Sequence, residues 1–153
     1  MRSRYSAFCQ GNVDYLVETH HRDHRSPDER KSLGNSVKQT QWTNLIVVKT
    51  QQGQRKDKTG TVEFVAAYRS ASLLGIQVST DPRTTDPQTT DLQKIGPKKI
   101  SLKAIEQLHE RSQFVREKGQ WFYTNGEILP DYVPKRSHPC WCGSQIPFNH
   151  CHG

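Results

Sequence analysis

An α+β fold, with helices packed on an antiparallel sheet, is what this sequence predicts, and three observations predict it. The first forty residues carry helix-starting signals and little β-branched content. From Trp42 onward the chain turns to runs rich in β-branched residues, each bounded by turn formers. Helices first and strands afterwards is the order of a sheet with segregated helices, not of alternating crossovers. The third observation is the final stretch, HPCWCGSQIPFNHCHG, which fits neither element and holds three of the four cysteines.

The helices come first. Ser3 to Phe8 reads as a short helical turn with Tyr5 and Phe8 on one side, interrupted by Gly11. Asn12 is a cap for a second helix in which Val13, Leu16, Val17 and His20 recur at helical spacing. In SPDE at 26–29, Ser26 is the expected N-cap, Pro27 the first helical position and Glu29 the completion of a capping box. That helix should run to about Lys38 and lie on the surface, because it carries few large apolar residues.

The strands follow. WTNLIVVKT, from Trp42, is the first, QQGQRKDKTG a long polar turn, and TVEFVAAYRS the second. AIEQLHERSQFVREKG and WFYTNGEIL read as two more, joined at Lys118–Gly119. Between the pairs, TDPRT and TDPQT form a near-repeat of turn formers, so residues 71–100 are expected to be a polar loop insertion. The proline-rich PDYVPKRSHP supplies a linker over 130–138. The predicted division is therefore a body at 1–129, the linker, and a metal-binding element at 139–153.

Composition bounds the function. A chain of 153 residues suits one ordinary domain with at most a small appendage. Its 22 Lys+Arg exceed 15 Asp+Glu, a net of +7, with small clusters at Arg55, Lys56 and Lys58 and at Lys98 and Lys99. Such a surplus favours loose contact with anionic partners such as ribosomal RNA without specifying one. No apolar run is long enough for a membrane-spanning helix. MRSRYSAFCQ lacks the apolar core of a signal peptide, so the reducing cytoplasm is the expected compartment. There, clustered cysteines bind metal more often than they form disulfides.

The tail has the donors for such a site. Cys140 and Cys142 alternate by two, so a tight turn can aim both sulfurs at one point, and Gly143 and Ser144 let the backbone reverse. Cys151 and His152 then return as an adjacent pair, giving a closed Cys3His shell with no open position for chemistry. His138 and His150 are alternative fourth ligands. Thiolate donors favour Zn2+, although Fe2+ can occupy a similar shell. A Cys140–Cys142 disulfide would close a strained ring and leave Cys151 unpaired. Cys9, alone in a helical segment, reads as a small buried apolar residue.

The tail, C-x-C-G-S-x6-C-H, resembles the SEC-C motif, the small metal-binding element at the C-terminus of the SecA translocation ATPase. Its donors map onto Cys140, Cys142, Cys151 and His152. Pro139, Gly143, Ser144 and Phe148 are kept, whereas Trp141 replaces a proline. Gln145, Ile146, Pro147 and Asn149 stand where the motif often carries glycine and lysines. The body is similar to the YchJ (UPF0225) family in MRSRYSAF, in Val62-Glu63-Phe64, in HERSQF at 109–114 and in GQWFYTNGEI at 119–128. Family members usually carry another cysteine motif ahead of RSRYSAF.

The resemblance implies an NTF2-like cone, a curved antiparallel sheet wrapping helices around a cavity. It places Arg2, Arg4, Tyr5, Trp42, His109, Glu110, Arg111 and Trp121 near that cone. Alternation puts His109, Arg111 and Gln113 on one strand face and Glu110, Ser112 and Phe114 on the other, so His109 and Glu110 cannot readily act on each other. Arg111 with Glu63 or Glu110 is expected as a buried ion pair that fixes the sheet. No GxSxG, Walker, HExxH or GxGxxG motif is present. The expected function is a non-enzymatic, zinc-binding adaptor whose tail docks on a protein or ribosomal partner. The alternative is a small-molecule-binding protein or enzyme that uses the cone. Direct nucleic-acid binding ranks last, because no run interleaves basic and aromatic residues. A homodimer through the sheet is implied by the NTF2-like class.

Overall fold

A computed structural model of the chain describes residues 1–70 and 105–153. The loop insertion expected at 71–100 lies outside the described residues. Helix α1 spans Arg2–Gln10, α2 Val13–Glu18 and α3 Glu29–Gln39, followed by strands β1 at Thr40–Gln52, β2 at Thr59–Ser70, β3 at Glu106–Glu117 and β4 at Gln120–Ile128. The strands form one antiparallel sheet in the order β1-β2-β3-β4. The α+β expectation and its order of elements hold.

Local chemistry accounts for most boundaries. Gly11 ends α1 in the left-handed conformation, with φ 68°, which glycine adopts without a Cβ penalty. Asn12 then caps α2, its side-chain oxygen accepting from the Tyr15 N–H at 3.0 Å. Lys118 and Gly119 both take positive φ, at 47° and 86°, as a two-residue hairpin turn between β3 and β4 requires. Helix α3 begins later than the sequence signal suggests. Asp28, not Ser26, is its N-cap, and no side chain caps it. The Glu29 carboxylate, expected to close a capping box, turns instead to the His20 ring.

The sheet has two covered faces. Along β2, Phe64, Ala66 and Tyr68 point toward α1 and α3, whereas Val65 and Ala67 point away from them. All four residues from Phe64 to Ala67 are buried. The far side of Val65 and Ala67 is covered by Ile105, Cys140, Trp141, Cys142 and Phe148 in one apolar cluster, with Ile46, Val48 and Tyr132 packed against it. The tail is thus a third layer. The stretch 130–138 does not hold it away from the body: Tyr132 N–H donates to Gln107 Oε1 at 3.0 Å, and Pro130 O lies 2.6 Å from His109 Nδ1.

The free edge of β4 is partly covered as well. His21 N–H donates to Tyr123 O at 2.7 Å, and Tyr123 N–H donates to Thr19 O at 2.9 Å. Arg4 of α1 lies beneath this contact and is buried. Its guanidinium donates to Leu16 O at 2.7 Å and to Thr19 Oγ1 at 2.6 Å, and sits 4.8 Å from the Tyr123 ring centre.

Candidate metal centre and sheet cavity

The tail builds its donor cluster from a very small hairpin. Pro139 and Pro147 form an antiparallel bridge, with Cys140 N–H donating to Ile146 O at 2.9 Å and Phe148 N–H to His138 O at 2.8 Å. Gly143, at φ 85°, reverses the chain after Cys142. On the returning arm, Phe148 O accepts from the N–H groups of Cys151, His152 and Gly153, at 3.0, 3.0 and 2.8 Å. That tight turn aims the adjacent Cys151 and His152 back at the first pair.

The donor atoms of Cys140, Cys142, Cys151 and His152 all lie within 4.8 Å of one another. Cys140 Sγ is 3.3 Å from His152 Nδ1, Cys151 Sγ is 3.2 Å from the same nitrogen, and Cys142 Sγ is 3.6 Å from Cys151 Sγ. A tetrahedral ion with bonds of ordinary zinc length needs sulfur–sulfur separations of roughly 3.8 Å and sulfur–nitrogen separations of roughly 3.6 Å. The three close separations lie within a few tenths of an ångström of these values, and the outer limit of 4.8 Å asks the remaining pairs to draw in by up to about 1 Å for one tetrahedral cation to reach all four donors. His138 and His150 are exposed and stand outside the cluster.

The surroundings of Cys140 and Cys142 act on their thiols in opposite directions. Burial pushes the Cys140 thiol up to about 12. At Cys142 burial acts in the same direction, but hydrogen bonds from the Ser144 hydroxyl and backbone outweigh it and hold that thiol below its ordinary value. Ionisation is favoured at Cys142 and opposed at Cys140, and a bound cation would supply the charge that offsets the cost of burial at Cys140. The Ser144 hydroxyl also lies 3.3 Å from Cys151 Sγ.

Two side chains fasten the cluster to the sheet. Asn44 of β1 donates from Nδ2 to Trp141 O at 2.9 Å. Trp141 is itself buried, and its ring lies 4.5 Å from that of His152. Sequence reasoning passed over Asn44, whose partner lies 97 residues away. The docking of the tail did leave a signal: Phe64-Val65-Ala66-Ala67 is apolar at every position, the mark of a strand buried on both faces.

Comparison with known proteins now decides the family. Residues 1–81, more than half of the chain, match the family described as YchJ, middle NTF2-like domain. The chain is also 32% identical to a UPF0225 protein of Pectobacterium carotovorum, covering all of this chain and 78% of the relative.

The chain belongs to the YchJ (UPF0225) family.

A UPF0225 protein of Shewanella sp. strain ANA-3 is 29% identical over 99% of this YchJ-family chain and 74% of its own length. Among solved structures, a SEC-C motif containing protein from Rhodopseudomonas palustris superposes with TM-score 0.57 at 25% identity, over 85% of this chain and 76% of that one. A SEC-C motif containing protein from Psychrobacter arcticus gives TM-score 0.51 at 25% identity, over 100% and 71%. The NTF2-like body with a C-terminal SEC-C element is thereby the architecture of this YchJ-family chain.

The residues expected around the cone do not all meet. Arg4, Tyr5, Trp42 and Glu110 line a cavity of about 430 Å³ between α1, α3 and the sheet, within the usual ligand-pocket range of about 300–1,000 Å³. Trp121 lines a neighbouring pocket that shares Arg4. Arg2 is exposed and lines neither. His109 and Arg111 lie on the opposite face of the sheet, as strand alternation requires once Glu110 and Ser112 face the cavity. There Arg111 Nη2 sits 3.0 Å from Glu63 Oε2, and Arg111 Nη1 sits 3.4 Å from Glu127 Oε2. The Arg111 side chain is 44% exposed, so this is not the buried pair expected. The Arg111 hydrogen bond holds the Glu63 carboxyl below the usual carboxylate range, with His109 adding to the effect. Cys9 is exposed rather than buried, because Arg4 and Ala7 occupy the inward side of α1. Among the described residues, no helix is long and apolar enough to cross a membrane.

The cavity lining is rich in polar groups, among them Arg4, His20, Glu29, Glu110 and Ser112. Ser112 Oγ donates to Glu110 Oε1 at 2.6 Å. Tyr123 lines the same space, and burial, reinforced by Glu110, pushes its phenol up to about 12 against the opposing pull of Arg4.

Proposed function

We propose that this YchJ-family protein is a structural zinc protein whose SEC-C element, locked by the metal, serves as an adaptor surface for a protein or ribosomal partner. The observation that carries the zinc reading is the convergence of three sulfurs and one imidazole nitrogen within 4.8 Å. Soft thiolates with one histidine suit Zn2+ ahead of harder-ligand cations, and four protein donors complete its shell. In this role the ion holds shape and carries no reaction step. Cys140, Cys142 and Cys151 supply the charge, Ser144 hydrogen-bonds the sulfurs, and Asn44 with Trp141 ties the loaded turn to β1.

The docking role draws support from how the element spends its two sides. Trp141 and Phe148 are committed to the sheet, while Gln145, Ile146, Pro147 and His150 are exposed. The net charge of +7 favours an anionic partner.

Metal counting by mass spectrometry tests the zinc reading: one zinc per wild-type chain and none in Cys142→Ser is the expected result, and equal content in both contradicts it. For the adaptor reading, ribosome co-sedimentation and affinity capture should compare wild type with Ile146→Glu, which leaves the buried side of the element intact. Salt-sensitive binding that the substitution weakens supports docking. Binding that ignores Ile146 places the contact elsewhere.

A second reading has its own support. The cavity facing α1 and α3, of about 430 Å³, is walled by the aromatic side chains of Tyr5, Phe8, Trp42 and Tyr68 with Arg4 and Glu110 among its polar groups, which suits a site for a small molecule.

A further inference from the structure

A second cavity lies beside the one between α1, α3 and the sheet, and the two share Met1 and Arg4. It encloses about 460 Å³ between the start of α1, helix α2 and the turn that joins β1 to β2. Its lining is one-sided in charge. Among the described residues no aspartate or glutamate lines it, whereas Arg4 and Met1 do. The first turn of α1 holds no acidic residue and no side chain caps it, so the positive end of that helix adds to the same sign.

Arg4 is only 7% exposed, and a charge buried to that extent is ordinarily paired. Its two hydrogen bonds go instead to neutral acceptors, Leu16 O and Thr19 Oγ1, and both leave from Nη1. Among the described residues no carboxylate forms a salt bridge with it. Tyr123, whose ring it faces, offers no charge, because burial pushes that phenol up to about 12. Glu29 and Glu110 attract Arg4 from the neighbouring cavity, where Glu29 meets the His20 ring and Glu110 receives the Ser112 hydroxyl. The Met1 amino group deepens the positive excess: burial opposes its charge first, and Arg4 and Arg2 add to the opposition.

The unused part of Arg4 has a defined shape. Nε and Nη2 have no partner among the described residues, and neither is fully enclosed. Together they form the edge of the guanidinium that forks onto two oxygens of a carboxylate or phosphate. Val62, Phe114 and Trp121 give the same cavity an apolar side, where the two rings favour a flat partner.

We propose that this second cavity binds a small organic anion, its carboxylate or phosphate head on the free edge of Arg4 and its flat apolar body against Phe114 and Trp121. The site is separate from that of the small-molecule reading above, so either can fail without the other.

Benzoate and phenyl phosphate are titrated against the full, metal-loaded chain beside benzamide and benzamidinium, which keep the ring and remove or reverse the charge. Binding is read by ligand-observed saturation transfer and by backbone amide shifts. At least one of the two anions should bind about tenfold or more tighter than benzamide and should weaken as salt is raised. It should move the amides of Gln54, Thr61 and Val62, which line this cavity and not its neighbour. Arg4→Lys, which keeps the charge and deletes the fork, should weaken that anion about fivefold or more. Gln52→Glu adds a carboxylate to the lining while keeping the acceptor that the Thr59 hydroxyl uses, and should weaken it about threefold or more. Lys135→Gln removes the same unit of charge from an exposed position in the stretch 130–138 and should leave binding unchanged.

Unchanged shifts at the Phe64 to Ala67 amides of the free variants certify the fold, and if Arg4→Lys fails that check, Gln52→Glu carries the test. Should benzamide or benzamidinium match both anions, the anionic class is overturned. Shifts at Tyr68 and Leu108 in place of Gln54 and Thr61 put the ligand in the other cavity and overturn the site. Equal weakening by Lys135→Gln and Gln52→Glu reduces the effect to attraction by the net charge of +7, and the site falls. It falls as well if neither anion saturates.

Discussion

Asn44 and Trp141 are joined by a hydrogen bond of 2.9 Å that crosses from the first strand of the sheet to the turn between the first two metal donors. The bond sits where that turn has least room. A Cβ added at Gly143 would lie 3.1 Å from Asn44 Cβ, and Gly143 holds φ 85°. Sheet and metal turn are fitted to each other at this point.

Asn44→Ala should therefore loosen the centre without touching a ligand. The lost bond leaves a carbonyl without its donor, at a cost of about 1–2 kcal/mol. Competition against a colorimetric chelator should show weaker metal retention by roughly tenfold, the equivalent of about 1.4 kcal/mol. Retention equal to wild type would separate the sheet from the site.

Gly143→Ala should be more damaging than its size suggests. It combines a left-handed backbone with the close approach of Asn44. The expected outcome is a lower melting temperature of the loaded protein. Pairing it with Asn44→Ala should recover part of the loss, because alanine removes the Asn44 Cγ that also lies 3.1 Å away, although it keeps the Cβ.

Arg4→Ala should destabilise the body by about 2–4 kcal/mol, because it strips Leu16 O and Thr19 Oγ1 of a charged donor in a buried setting. Urea unfolding gives the number. A change below the error of the method would mean that Arg4 contributes little to the fold.

Glu63 titrates with a definite sign. Arg111 depresses its folded value below the usual carboxylate range, so its contribution to stability is present above that range and is lost as pH falls through the depressed value. Arg111→Gln should return the Glu63 carboxyl toward ordinary behaviour, read as an upward move of its carboxyl-carbon titration. Tyr123 runs the other way. Its phenol, raised to about 12, favours the neutral form in the fold, and that contribution fades as pH climbs from the ordinary tyrosine value of 10 through 12.

What the sequence made legible were features fixed by local geometry. Asn12 announces its cap, Lys118–Gly119 announces the hairpin, and the spacing of Cys140, Cys142, Cys151 and His152 announces the donor set. What it hid were choices settled by distant partners. Ser26 and Glu29 make a plausible capping box until His20 competes for the carboxylate. Trp141 stands out as a departure from the SEC-C pattern, but its packing against Val65 and Ala67 depends on which face of β2 lies open. Arg2, His109 and Arg111 look like cavity residues by resemblance alone, and strand parity sends the last two to the other side.

Hydrogen exchange at the Cys140 and Phe148 amides, before and after stringent chelation, tests the central claim most directly. These two N–H groups close the small hairpin that carries the donors. If a bound ion holds that layer against the sheet, both should be protected in the loaded protein and exchange freely once the metal is gone. Equal protection in the two states would mean that the tail keeps its place without a cation, and the account would be contradicted.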